Sequence, residues 1–76
     1  MSNYILLNSV NDVKAFVNIV SKYDCDVDLM SGRYVVDAKS IMGIFSLDLS
    51  KKIEIRVSEG PDKEQLLQEI AQFTAK

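Results

Sequence analysis

Ser40 is the side chain in this sequence best placed to do chemistry. It stands in Lys39-Ser40-Ile41-Met42-Gly43-Ile44-Phe45-Ser46-Leu47, directly before an apolar run. A hydroxyl residue at such a point reads as a helix N-cap. Ile41, Ile44 and Phe45 then fall at i, i+3 and i+4, one stripe of a short helix, and Met42 points elsewhere, beside Ser40 and toward solvent. A phosphate on that hydroxyl would meet free backbone N–H groups and the positive end of the helix dipole, so the helix would accept it without melting. It would add about −1.5 to −2 charges at neutral pH beside an apolar patch, with Lys39 partly neutralising it. The spacing fits a phosphorylation switch or docking site with Lys39, Ser40, Ile41 and Met42 as contact residues. It also fits a plain cap worth about 1 kcal/mol.

The other candidates are weaker. The sequence contains no histidine. Histidine acid–base catalysis, histidine phosphorylation and His-containing metal sites are therefore excluded. Ser9 lies in Asn8-Ser9-Val10-Asn11-Asp12, where no base activates its hydroxyl, and it reads as a turn or cap residue. Asp24, Asp26 and Asp28 alternate with Cys25, Val27 and Leu29. Hard cations draw oxygens from folded loops with carbonyls added, so carboxylates along a strand read as a solvated face, not a metal site. Cys25 falls on the apolar side as an inert small hydrophobe. Being the single cysteine, it forms no internal disulfide and fits a reducing cytoplasm. There is no carboxylate pair in a cleft pattern, no phosphate-binding glycine loop and no nucleophile–base pair. No enzymatic activity, cofactor or metal is expected.

These residues need a frame, and 76 residues supply one small domain spanning 1–76. A hydrophobic fraction of 47% with 26% charged residues is that of a soluble globular chain. The net charge of −2 argues against direct binding to nucleic acid or to an anionic membrane. No apolar run approaches the ~20 residues of a membrane span, and Met1-Ser2-Asn3-Tyr4 lacks the basic start of a secretory signal.

Periodicity supplies the elements. Tyr4–Leu7 is a short apolar run suited to a buried strand. Val13, Phe16, Val17 and Val20 form a helical stripe, with Ser9, Asn11 or Asp12 as its cap. Asp24–Leu29 alternates as a strand, Ser31-Gly32 turns, and Tyr34–Val36 returns as a hairpin. The helix after Ser40 fades near Asp48-Leu49-Ser50, and Ile53–Val57 alternates as a fourth strand. Gly60-Pro61-Asp62 reads as a turn with Pro at the first helical position, followed by a stripe of Leu66, Leu67, Ile70 and Phe73. The order βαββαβα predicts an α+β two-layer open-faced sandwich, a four-stranded antiparallel sheet with three helices on one face.

This order, and two segments within it, resemble the HPr family, the small phosphocarrier proteins of the bacterial sugar phosphotransferase system. The segments are Ser21-Lys22-Tyr23-Asp24-Cys25-Asp26-Val27 and Lys39–Leu47. The second is similar to the family's regulatory-serine motif K-S-I-M-G-x-x-S-L without a gap. The resemblance covers essentially the whole chain, and two matches in register are more specific than one. Counting back from Ser21, it places the family's phosphorylated histidine on Ser9, its arginine on Asn11, its proline on Asp12 and its leading glycine on Leu7. None of the four is kept, whereas the regulatory serine falls on Ser40 in full local context.

The resemblance implies a protein that does not relay phosphate through histidine. A serine at position 9 is a weak nucleophile, the bidentate arginine clamp is missing, and Asp12 puts a negative charge where phosphate would sit. It further implies phosphorylation of Ser40 by an HPr-type serine kinase/phosphorylase and recognition by a carbon-catabolite transcription factor. In this the chain is similar in type to the catabolite-repression HPr. The competing expectation is a diverged protein-binding or scaffold module, never phosphorylated, in which Ser40 is a cap alone.

Overall fold

The computed structural model describes residues 3–74. Strand β1 (Asn3–Ile5) leads into helix α1 (Val10–Val20), the hairpin of β2 (Val27–Ser31) and β3 (Tyr34–Asp37), helix α2 (Ile41–Phe45), strand β4 (Ile53–Val57) and helix α3 (Lys63–Glu69). A 3-10 turn, Ala71–Phe73, follows. The strands form one antiparallel sheet in the order β1-β4-β2-β3. The expected βαββαβα sandwich is the observed fold.

Alternation along the two central strands decides where the core lies. Val27 and Leu29 of β2 and Ile53 and Ile55 of β4 are buried, and Leu29 sits opposite Ile55. Val13, Phe16 and Val20 of α1, Ile44 of α2, and Leu66 and Ile70 around α3 close over them. Removing each such side chain from water contributes about 1.5–3 kcal/mol. Phe16 meets Phe73 edge to face, with ring centroids 5.9 Å apart and planes at 83°. Cys25 is buried in the same core, as its place in the alternation implies. The opposite face of the sheet carries Tyr4, Glu54, Met30 and Val35 in one cross-strand row.

Several boundaries differ from the sequence expectations. β1 ends at Ile5, although Leu7 beyond it is fully buried. Leu6 N–H donates to the Phe73 carbonyl at 2.8 Å, so the chain there pairs with the C-terminal turn rather than continuing along β4. β2 begins at Val27, so Asp24 and Asp26 precede the strand and only Asp28 lies on it. Pro61 stands one residue before the N-cap Asp62, not at the first helical position. The last helix breaks at Ile70, and the 3-10 turn then carries Phe73 into the core. Val17 and Leu67 pack on the core half-buried.

The β2–β3 connection is the two-residue loop Gly32-Arg33. Gly32 has φ of 61°, and no non-glycine among the described residues has a positive φ. That matches a hairpin turn of the II′ kind, with glycine at its first central position. Gly32→Ala meets open space but not a comfortable backbone, so it is expected to lower stability by about 1 kcal/mol. Urea unfolding monitored by circular dichroism measures it.

Candidate functional site

The segment that carries Ser40 is pinned at both ends. Ala38 is fully buried, and its N–H donates to the Val27 carbonyl at 2.9 Å, extending the hairpin ladder by one step. The chain then turns sharply. The Asp37 carboxylate accepts from Lys39 N–H at 2.9 Å, and the Asp37 carbonyl accepts from Ser40 N–H at 3.0 Å. This side-chain turn halts β3 and throws residue 40 outward. Ser40 keeps an extended backbone (φ −99°, ψ 104°), as an N-cap must, and its carbonyl accepts the first helical bond from Ile44 N–H at 3.0 Å.

The Ser40 hydroxyl is exposed and accepts from Gly43 N–H at 3.2 Å. The expected cap is thus present, and the hydroxyl that makes it faces solvent. Beside it Met42 is 77% exposed, Ile41 is half-buried and Ile44 is fully buried. Phe45 departs from the expected stripe: it is 41% exposed, because α2 ends there and Ser46 already caps it. The helix is also shorter than its sequence suggests. Ser46 N–H and Oγ both close on the Gly43 carbonyl, at 3.1 and 2.5 Å, and stop it before Asp48. Beyond it, the Ser50 hydroxyl and N–H hold the Asp48 carboxyl below the usual carboxylate range.

Gly43 has a part that its place in the sequence did not reveal. A Cβ there would stand 3.2 Å from Ser40 Oγ and 3.3 Å from Val36 Cβ. The missing side chain lets the cap hydroxyl approach the helix backbone and lets α2 sit closely on β3. The signal available in the sequence was a glycine three residues after a capping serine, inside a helical run that otherwise disfavours glycine.

Lys39 is placed differently from expectation. Its ammonium donates to the Tyr23 carbonyl at 2.8 Å, in the turn that follows α1. The side chain is half-buried and ties the end of α1 to the start of α2. Its charge is therefore directed to a carbonyl, not reserved for Ser40. Lys39→Met is expected to cost about 1 kcal/mol through loss of that bond, while Ser40 remains exposed; thermal unfolding checks the first point and kinase labelling the second.

Ser9 is the exposed N-cap of α1, accepting from Asp12 N–H at 3.1 Å. The Asp12 carboxylate accepts from Asn8 N–H at 3.0 Å, so the two side chains form a reciprocal cap. Of the three capping candidates, Ser9 is the one that caps. Asp28 lies between Arg56 and Asp37 in the sheet, and the described residues contain no acidic, cysteine or histidine cluster able to hold a metal. A groove of about 590 Å³ lies by the Gly32 turn, lined by Tyr4, Arg33, Lys51, Lys52 and Glu54 among others. None of Lys39–Phe45 borders it, so Ser40 is a surface feature rather than a pocket residue.

A family model described as the PTS HPr component phosphorylation site matches residues 12–76. The chain belongs to the HPr family. That family consists of phosphocarrier proteins of the phosphotransferase system, not enzymes. The matched span contains Ser40 and begins downstream of Ser9. Among solved structures, HPr-C-His from Thermoanaerobacter tengcongensis is 29% identical with a TM-score of 0.73, over 92% of this chain and 79% of that one. The phosphocarrier protein HPr from Bacillus anthracis is 25% identical with a TM-score of 0.72, over 99% and 96%. The Bacillus subtilis catabolite repression containing protein Crh is 26% identical with a TM-score of 0.67, over 88% and 78%. The resemblance drawn from the two sequence segments and the element order is therefore correct at the level of family and fold.

Proposed function

We propose that this HPr-family protein is a regulatory protein of carbon catabolite control, phosphorylated on Ser40 and read by a protein partner, and that it takes no part in histidine phosphotransfer. The observation that carries the reading is an exposed capping hydroxyl at Ser40, beside a 77% exposed Met42, in a family member whose sequence has no histidine.

Phosphorylation at this point is chemically straightforward. The Ser40 Oγ uses one lone pair on Gly43 N–H and keeps another for attack on the γ-phosphorus of ATP. A kinase base takes the hydroxyl proton, the Oγ–P bond forms, the bond from phosphorus to the bridging oxygen breaks, and ADP leaves. The product phosphate lies near the first-turn N–H groups, which have no helical partner. Because α2 is only five residues long, those local donors matter more than the summed dipole. With the Lys39 ammonium held on Tyr23, the phosphate keeps most of its charge for cationic side chains of a partner. Ile41 and Met42 add apolar contact next to it.

The partners are an HPr-type serine kinase/phosphorylase and a carbon-catabolite transcription factor, and the place of action is the cytoplasm. No helix among the described residues is long and apolar enough to cross a membrane. Incubation with an HPr kinase and ATP, with Ser40→Ala as control, tests the reading. Label on the wild type alone supports it, and an unlabelled wild type leaves Ser40 as a cap in a binding module.

A further inference from the structure

The two edges of the sheet are treated differently. β1 is partly covered, because Leu6 N–H bonds to the Phe73 carbonyl and Ile5 bridges to Thr74. β3 is covered only at its last residue, where Ser40 N–H bonds to the Asp37 carbonyl and Lys39 N–H to the Asp37 carboxylate, and it exposes Tyr34 (69%) and Val35 (62%). Exposed apolar edge strands are pairing templates unless something blocks them.

The hairpin register shows which backbone groups β3 offers. Ser31 and Tyr34 flank the two-residue loop, and Ala38 N–H bonds to the Val27 carbonyl. Residues 34, 36 and 38 therefore bond inward to β2, and the N–H and C=O of Val35 point outward. Arg33 and Asp37 share the parity of Val35. On an antiparallel two-fold centred at Val35, position 33 of one copy falls opposite position 37 of the other. Arg33 then meets Asp37 across the axis, twice, on the open face. Tyr34 meets Val36, also twice, on the helix face, and Val35 meets its own counterpart.

The charges favour this pairing. Within its own sheet Asp37 stands opposite Asp28, a like-charge pair that costs stability. Arg33 makes no ion pair among the described residues. A second copy supplies the missing cation to Asp37 and the missing anion to Arg33. We propose that β3 is a self-complementary edge on which a second copy of this chain pairs antiparallel about Val35, joining two sheets into one.

Sedimentation velocity of the full chain from about 10 μM to about 1 mM tests it. The wild type is expected to show a reversible dimer. Arg33→Glu and Asp37→Lys, each alone, are expected to weaken it about tenfold or more, since two attractive cross-strand pairs become repulsive. An equimolar mixture of the two variants restores attraction at both pairs and should recover the wild-type dimer. Val35→Pro removes only an outward N–H, so it should leave the hairpin folded by circular dichroism and the chain monomeric. A wild type that stays monomeric overturns the proposal and leaves the edge to a strand of another protein. So does a dimer that survives both Arg33→Glu and Val35→Pro, or a mixture that fails to recover association.

Discussion

Ser9→His combined with Asn11→Arg and Asp12→Pro is expected to accept phosphate from enzyme I and phosphoenolpyruvate, where the wild type is expected to accept none. Each change supplies something the present site lacks. Imidazole is a good nucleophile near neutral pH, whereas the Ser9 hydroxyl accepts from Asp12 N–H and is hydrogen-bonded to no base among the described residues. Arginine at the exposed position 11 can grip a phosphoryl group in a bidentate way. Replacing Asp12 removes the carboxylate that now occupies the head of α1. Proline at the third helical position is tolerated, because first-turn N–H groups have no helical partner. Losing the Ser9–Asp12 reciprocal cap costs about 1–2 kcal/mol, which a folded domain survives. Ser9→His alone should label far more weakly, by about 10²-fold or more, since clamping and charge repulsion remain uncorrected. Acid-labile label from phosphoenolpyruvate measures the gain. A folded triple variant that takes no label would show that Ser9 does not stand where the family's histidine does, and label on the wild type would contradict the account outright.

The second large effect is at Ser40. One phosphate per chain is expected on the wild type, none on Ser40→Ala, and an unchanged amount on Ser9→Ala and Ser46→Ala. The three serines differ in surroundings. Ser46 Oγ donates to the Gly43 carbonyl at 2.5 Å, inside the closing turn of α2, so a phosphate there faces helix carbonyls. Ser9 is exposed, but its hydroxyl accepts from Asp12 N–H, and the Asp12 side chain brings a negative charge to the same helix start, where its carboxylate accepts from Asn8 N–H. Ser40 alone among them combines exposure, first-turn N–H donors and a neighbouring exposed methionine. Ser40→Ala loses a cap of about 1 kcal/mol, so a folded control is expected and missing label can be assigned to the hydroxyl.

Much of this arrangement was legible in the sequence because it rests on short-range rules. The βαββαβα order followed from periodicity, and Ser40 as cap followed from a hydroxyl before an apolar run. Burial of Cys25 followed from alternation, even though the strand proper begins two residues later at Val27. What escaped depended on contacts between distant residues. The Lys39–Tyr23 bond spans 16 positions, and no local rule tells a lysine which carbonyl it will find. The exposure of Phe45 follows from where Ser46 stops the helix, and the stripe at i, i+3, i+4 carries no length of its own. The close approach of Gly43 to Val36 needed the placement of α2 on β3. At the site itself, the serine was readable, and the route of its nearest cation was not.

Site-resolved mass spectrometry after exposure of the intact chain to an HPr kinase and ATP separates a regulatory Ser40 from a cap alone. One added phosphate is expected, located on Ser40 and absent from Ser40→Ala. A wild type that remains unmodified under conditions that fully label a regulatory-serine HPr, or a phosphate found on another residue, would contradict it.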